Sequence, residues 1–197
     1  MITKILQYLG LKQKQPITEI EDLAKFIHCS ASFVSQVVLI TYIKARSGTQ
    51  YPKLFENTEF LKSIDIARSK IYASSVADLI FYIIEEHFKD VIPMHEKNKS
   101  SRSLVEIIFK IAKREEIKLS KIFEAQEETF NQLKSLFSNF DSHKKFKMSS
   151  DAFFRWAPMA EEFKKEDEEI MRNSIHFRWI EIRREIRTRI QAEKINF

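Results

Sequence analysis

Ile2, Ile5, Leu6 and Leu9 stand at i, i+3, i+4 and i+7, the spacing of one helix face, and Gly10 is placed to end that helix. Lys4, Lys12 and Lys14 are the only charged side chains before Pro16. Residues 1–16 therefore read as a short basic amphipathic segment, set apart from a single all-helical domain over 17–197. Such a stripe either packs on the body of the protein or rests on anionic lipid. Thr18 followed by Glu21 has the form of a capping box and predicts a helix over 18–47, with Gly48 just past its end. Ile20, Leu23, Ile27, Phe33, Val34, Val37, Val38 and Leu39 supply its apolar content. Pro52 lies in the connection that follows, and Asn57 or Thr58 can cap a second long helix reaching residue 88. Two long helices with so short a link are expected to form an antiparallel hairpin, in which residues whose numbers sum to about 105 face one another. His28 is then level with Asp78.

Beyond Pro93 the polar run 96–102 predicts a break, followed by two shorter helices over 104–112 and 117–140. Residues 141–150, with Lys144, Lys145 and Lys147, read as a mobile loop, and 150–156 as a short turn of helix. Pro158 suits the first turn of a last, very long helix continuing to 194. Along that helix Ile175, Trp179, Ile182, Ile186 and Ile190 fall on one face. The expected fold is all-α: a helical bundle built on a long antiparallel hairpin, with a long arginine-rich C-terminal helix.

Composition narrows the chemistry. The 197 residues include only two glycines, Gly10 and Gly48, so glycine-rich phosphate loops, dinucleotide fingerprints and nucleophile elbows are not expected. The single cysteine, Cys29, excludes an intramolecular disulfide and suits a reducing, cytoplasmic compartment. No signal-peptide pattern is visible. Residues 26–43 carry no Asp, Glu, Lys or Arg and are as long as the ~18-residue minimum for a membrane span. His28, Ser30, Ser32, Ser35, Gln36 and Thr41 would need partners in hydrocarbon, however, so this stretch and 71–84 read as central helices of a bundle rather than as spans.

Charge is modest in sum, +5, and uneven in distribution. Between 161 and 169 six acids and two lysines balance to −4, whereas between 172 and 197 seven bases and three acids balance to +4. The helix macrodipole favours that polarity. Six of the eleven arginines lie in the last helix: Arg172, Arg178, Arg183, Arg184, Arg187 and Arg189. With Lys4, Lys12 and Lys14, the residues Arg183, Arg184, Arg187 and Arg189 form a candidate surface for an anionic partner, nucleic acid or membrane. Glu181, Glu185 and Glu193 are interleaved with them, as in a salt-bridged helix that faces solvent or protein.

An acid in the apolar stretch 71–84 must find a donor, and His28 is the expected partner of Asp78. Tyr42 with Arg46, and Arg68 with Tyr72, are i, i+4 pairs that can line a polar pocket. None of His28, His87, His95, His143 and His176 follows a glutamate at three residues, and His-x₃-His is absent, so no metal site and no cofactor is expected.

Phe33-Val34-Ser35-Gln36, Tyr42, Ala45-Arg46-Ser47-Gly48, Arg68, Tyr72 and Asp78 resemble the N-terminal half of an uncharacterised alphaproteobacterial family of all-helical proteins. Pro158-Met159-Ala160-Glu161-Glu162, Lys164, Asp167, Glu169-Ile170, Asn173, Ile175 and Phe177-Arg178-Trp179 are similar to that family's C-terminal pattern. Members are sometimes labelled esterases, and the resemblance implies that activity, yet the chain has no Gly-x-Ser-x-Gly and no oxyanion loop, so no catalytic residue is carried over. The matching polar positions Arg46, Arg68, Asp78, Asp167, Asn173 and Arg178, together with His28, become candidates for a binding pocket or a buried polar network. Three functions remain in view. The first is a cytoplasmic, non-enzymatic interaction or scaffold protein whose partner is another protein or a second copy of itself. The second is a nucleic-acid-binding or membrane-peripheral protein, and the third a hydrolase.

Overall fold

The computed structural model describes residues 15–116 and 145–197. Helices make up most of them, and no strand occurs among the described residues. The elements are α1 (Ile20–Ser47), α2 (Tyr51–Leu54), α3 (Thr58–His87), α4 (Lys97–Glu116), α5 (Lys147–Trp156), α6 (Glu161–Glu166) and α7 (Glu168–Arg189). The all-α expectation holds. The N-terminal stripe with Lys4, Lys12, Lys14 and Gly10, and the helix expected over 117–140, lie outside the described residues.

α3 is the centre of the molecule. Ile71, Val76, Leu79, Ile80, Ile83 and Ile84 are buried among α1, α4 and α5, and between 71 and 84 only residue 74 is not fully buried. A helix apolar on all sides is one that other helices surround. α7 packs on α5 and α1 through Met171, Ile175, Trp179, Ile182 and Ile186. The helical stretch Ile20–Leu54 is long and apolar enough to cross a membrane by length and composition, but 56% of its most apolar window is buried inside the fold.

Local signals set several boundaries. Asn57 caps α3, its side-chain oxygen accepting the Phe60 N–H at 3.0 Å. Gly48 ends α1 at φ 51 and ψ −131, a combination that side chains with a Cβ rarely adopt. α1 also carries Glu21 and Asp22 in its first turn and Lys44 and Arg46 in its last, as the macrodipole favours.

Four expectations need correction. Thr18 does not cap α1: the helix starts at Ile20 behind Glu19, with no side-chain cap. The cause is a long-range contact. Ile17 forms an isolated parallel bridge with Ile190, its N–H bonding the Arg189 carbonyl at 2.8 Å and its carbonyl accepting the Gln191 N–H at 3.0 Å. That bridge holds the chain extended past the capping position. The polar run 96–102 is not a break, because α4 begins at Lys97 and its Ser100 and Ser101 are buried, Ser101 bonding back to the Lys97 carbonyl at 2.8 Å. Residues 147–150, expected in a loop, form the first turn of α5. The long last helix is interrupted at Asp167 and ends at Arg189, with Pro158 lying before it rather than in its first turn.

A Cβ at Gly48 would meet nothing within 4 Å, so substitution there acts through backbone conformation alone. Gly48→Ala is expected to lower the unfolding free energy by about 1–3 kcal/mol in denaturant titration. An unchanged midpoint would show that the positive φ is not needed.

Candidate functional site

The seven polar residues singled out from the sequence do not converge on one cavity; they fall into separate places. His28 is the clearest correction. Its Nδ1 shares a 2.8 Å hydrogen bond with the Tyr72 hydroxyl, and the two rings meet edge-on. Tyr72 lies six residues before Asp78 on α3, so the partner of His28 is a different residue from the one expected. Arg68 pairs along its own helix with Asp65 at 3.4 Å. Asn173 and Arg178 are exposed on α7.

Arg46 and Asp167 do meet. The Arg46 guanidinium grips the Asp167 carboxylate with Nε and a terminal nitrogen, and the Tyr42 hydroxyl donates to the same carboxylate at 3.0 Å. The guanidinium holds the Asp167 carboxyl below the usual aspartate range. Burial, and then the hydrogen bond to Asp167, push the Tyr42 hydroxyl up to about 12. Asp167 stands at the joint between α6 and α7, so the pair ties that joint to the end of α1.

Asp78 has different work. Its carboxylate accepts the Ser149 backbone N–H at 2.7 Å in the first turn of α5, and so caps a helix far away in sequence. The Ser149 hydroxyl in turn accepts the Trp179 indole N–H at 3.2 Å. Asp78, Ser149 and Trp179 thus join α3, α5 and α7 through buried groups. Phe146, immediately before α5, adopts a left-handed conformation at φ 57. It is held there by Trp179 stacked at 5.0 Å and by Tyr82 at 5.2 Å. The far end of α5 is served by Lys164, a buried lysine on α6 whose Nζ donates to the Arg155 carbonyl at 3.1 Å. Arg172 adds a third tie, bonding Asp151 at 2.6 Å and Glu168 at 2.8 Å. Ser149, Trp179, Lys164 and Arg172 were not singled out as a network from the sequence, since nothing local marks residues that meet only after α5 has docked.

The proposed anionic-partner surface is smaller in the structure than expected. Lys4, Lys12 and Lys14 are outside the described residues. Arg189 is turned inward: its Nε donates to the Gln15 carbonyl at 2.9 Å, its guanidinium pairs with Glu185, and its carbon stands 5.3 Å from the Phe26 ring centroid. Arg183 covers Phe146 at 5.5 Å, and its Nε is buried without a hydrogen-bond partner. Arg184 pairs with Glu181 at 3.2 Å on the surface, and Arg187 is exposed.

What the outer side of α6 and α7 does present is apolar. Phe163 is 47% exposed, Ile170 65%, Phe177 70% and Ile180 43%. A groove of about 320 Å³ lies at Phe177 and Ile180, lined also by Asn173, His176, Arg183 and Lys145 among others. Among the described residues no group of three His, Cys, Asp or Glu side chains comes together to hold a metal. Comparison with protein-family models, with curated proteins and with solved structures gives no match.

Burial raises the Asp78 carboxyl from 3.8 to about 7, against the opposing pull of its hydrogen bonds from Ser149 and Met148. The folded chain therefore holds a proton that the unfolded chain releases near pH 4. The stability this adds is full below pH ~4 and is lost as the pH rises through about 7. Each unit in that window is worth at most about 1.4 kcal/mol. Denaturant midpoints measured from pH 4 to 8 are expected to fall more steeply for the native chain than for Asp78→Asn. Parallel profiles would contradict the assignment.

Proposed function

We propose that this is a non-enzymatic helical interaction protein that engages another protein through the outer face of α6 and α7. The observation that carries the reading is the line of exposed apolar residues Phe163, Ile170, Phe177 and Ile180. α7 buries one face through Met171, Ile175, Trp179, Ile182 and Ile186 and still exposes large apolar side chains on another. Isolated exposed apolar residues are ordinary on a protein surface, but a row of them along two successive helices fits contact with a partner.

The two other readings receive less support. For nucleic acid or an anionic membrane, Arg189 and Arg183 are drawn into contacts with the protein itself, and Arg184 is paired with Glu181. For a hydrolase, Ser149 is the serine placed between an acid and an aromatic donor, but it is fully buried and both neighbours hold it in a structural role.

A photo-crosslinking residue at position 177 or 180, used in cells, tests the proposal against the same residue at Glu59, which is 80% exposed in the first turn of α3 and is not part of the outer face of α7. One discrete protein adduct, mapping to the same segment from 177 and 180 and absent from 59, is expected. Adducts only with nucleic acid or lipid, or none above the Glu59 control, would overturn it.

A further inference from the structure

The exposed row on α6 and α7 is more ordered than a patch. Among the exposed positions from Phe163 to Arg187, one line (163, 166, 170, 173, 177, 180, 184 and 187) advances by alternating steps of three and four residues, the seam spacing of two helices packed side by side, and it carries the apolar residues of this face. Its charges are also arranged in sequence: Glu166 lies near one end, Arg184 and Arg187 at the other, and apolar Ile170, Phe177 and Ile180 between them. The interruption at Asp167 does not break the line, because the Asp167 N–H bonds the Phe163 carbonyl at 3.0 Å and the Met171 N–H bonds the Asp167 carbonyl at 2.8 Å.

Resting on the reading of this face as a protein contact, we propose that the partner is a second copy of this chain, laid antiparallel on the first across a two-fold axis near residue 175. Residues whose numbers sum to about 350 then face each other. Ile170 of one copy meets Ile180 of the other, Phe177 covers Asn173, Glu166 faces Arg184 in exchange for that arginine's exposed 3.2 Å pair with Glu181, and the open side of Phe163, whose ring centroid lies 5.8 Å from the Arg46 guanidinium carbon, comes under the stem of Arg187. A parallel arrangement would instead bring Arg184 and Arg187 onto their own images. The seam spans 24 residue steps, about 36 Å of helix. Its apolar middle supplies attraction, while the exposed charges set orientation and add little affinity of their own.

Sedimentation velocity across a dilution series, with circular dichroism to confirm folding, tests the assignment on the full chain. The native protein is expected to dimerise reversibly, and Phe177→Asp to be monomeric. Glu166→Arg and Arg184→Glu, each of which sets like charges face to face, are expected to raise the dissociation constant about tenfold or more. The combined Glu166→Arg/Arg184→Glu chain is expected to regain the native value. A monomer at every concentration, a dimer indifferent to Phe177→Asp, or a double reversal that fails to rescue would each overturn the second-copy assignment. If the chain is monomeric while crosslinking from Phe177 captures a different protein, the assignment fails and the interaction reading stands; if neither association appears, both fail.

Discussion

A buried carboxyl group fixes the middle of this structure. Asp78 sits on the most enclosed helix of the bundle, where an aspartate must find donors or stay protonated, and the donors it finds belong to the first turn of α5. Four N–H groups at a helix start lack intrahelical partners, and α5 has no side-chain cap of its own, since Phe146 precedes it. The acid and the helix end therefore satisfy each other across 71 residues of chain. Trp179 then joins through Ser149, and its ring covers Phe146. With Lys164 bonded to a carbonyl near the other end, α5 is held at both termini by side chains from neighbouring helices.

The consequence for α7 is rotational. Trp179 can reach Ser149 only with one face of α7 turned inward, and that places Met171, Ile175, Ile182 and Ile186 in the core. Arg172 pins the helix to α5 from the side, and Asp167 pins its start to α1. At its far end Ile190 bridges to Ile17. A helix held at its start, middle and end cannot turn its remaining apolar residues inward, so Ile170, Phe177 and Ile180 stay outside. The outer face follows from the inner contacts, and the proposed partner from the outer face.

Features set by neighbouring residues were legible in the sequence. Gly48 and Asn57 mark the end of α1 and the start of α3 because a positive φ and an N-cap bond are decided within a few residues. The inward row of α7 was likewise visible as helical periodicity. What local pattern could not show was long-range: the Thr18 cap gave way to a bridge with Ile190, and His28 found Tyr72 where the assumed register offered Asp78. The serines of α4 read as a break because their polarity is apparent in sequence, while the burial of Ser100 and Ser101 and the hydrogen bond of Ser101 back to the Lys97 carbonyl are not. Of the candidate polar network, only Arg46 and Asp167 came together, and the pocket or network expected of all seven is replaced by separate ties between helices.

Distances between copies give the most direct test of an α7 anchored on one side and paired on the other. Spin labels at His176 or at Lys165, in a Cys29→Ser chain and read by pulsed electron spin resonance, report the orientation of the seam. The antiparallel arrangement predicts label sites about 10 Å apart across the helices at position 176, and sites offset by about 30 Å along the axis at position 165. Equal separations at the two positions, or no coupling between copies at either, would contradict the account.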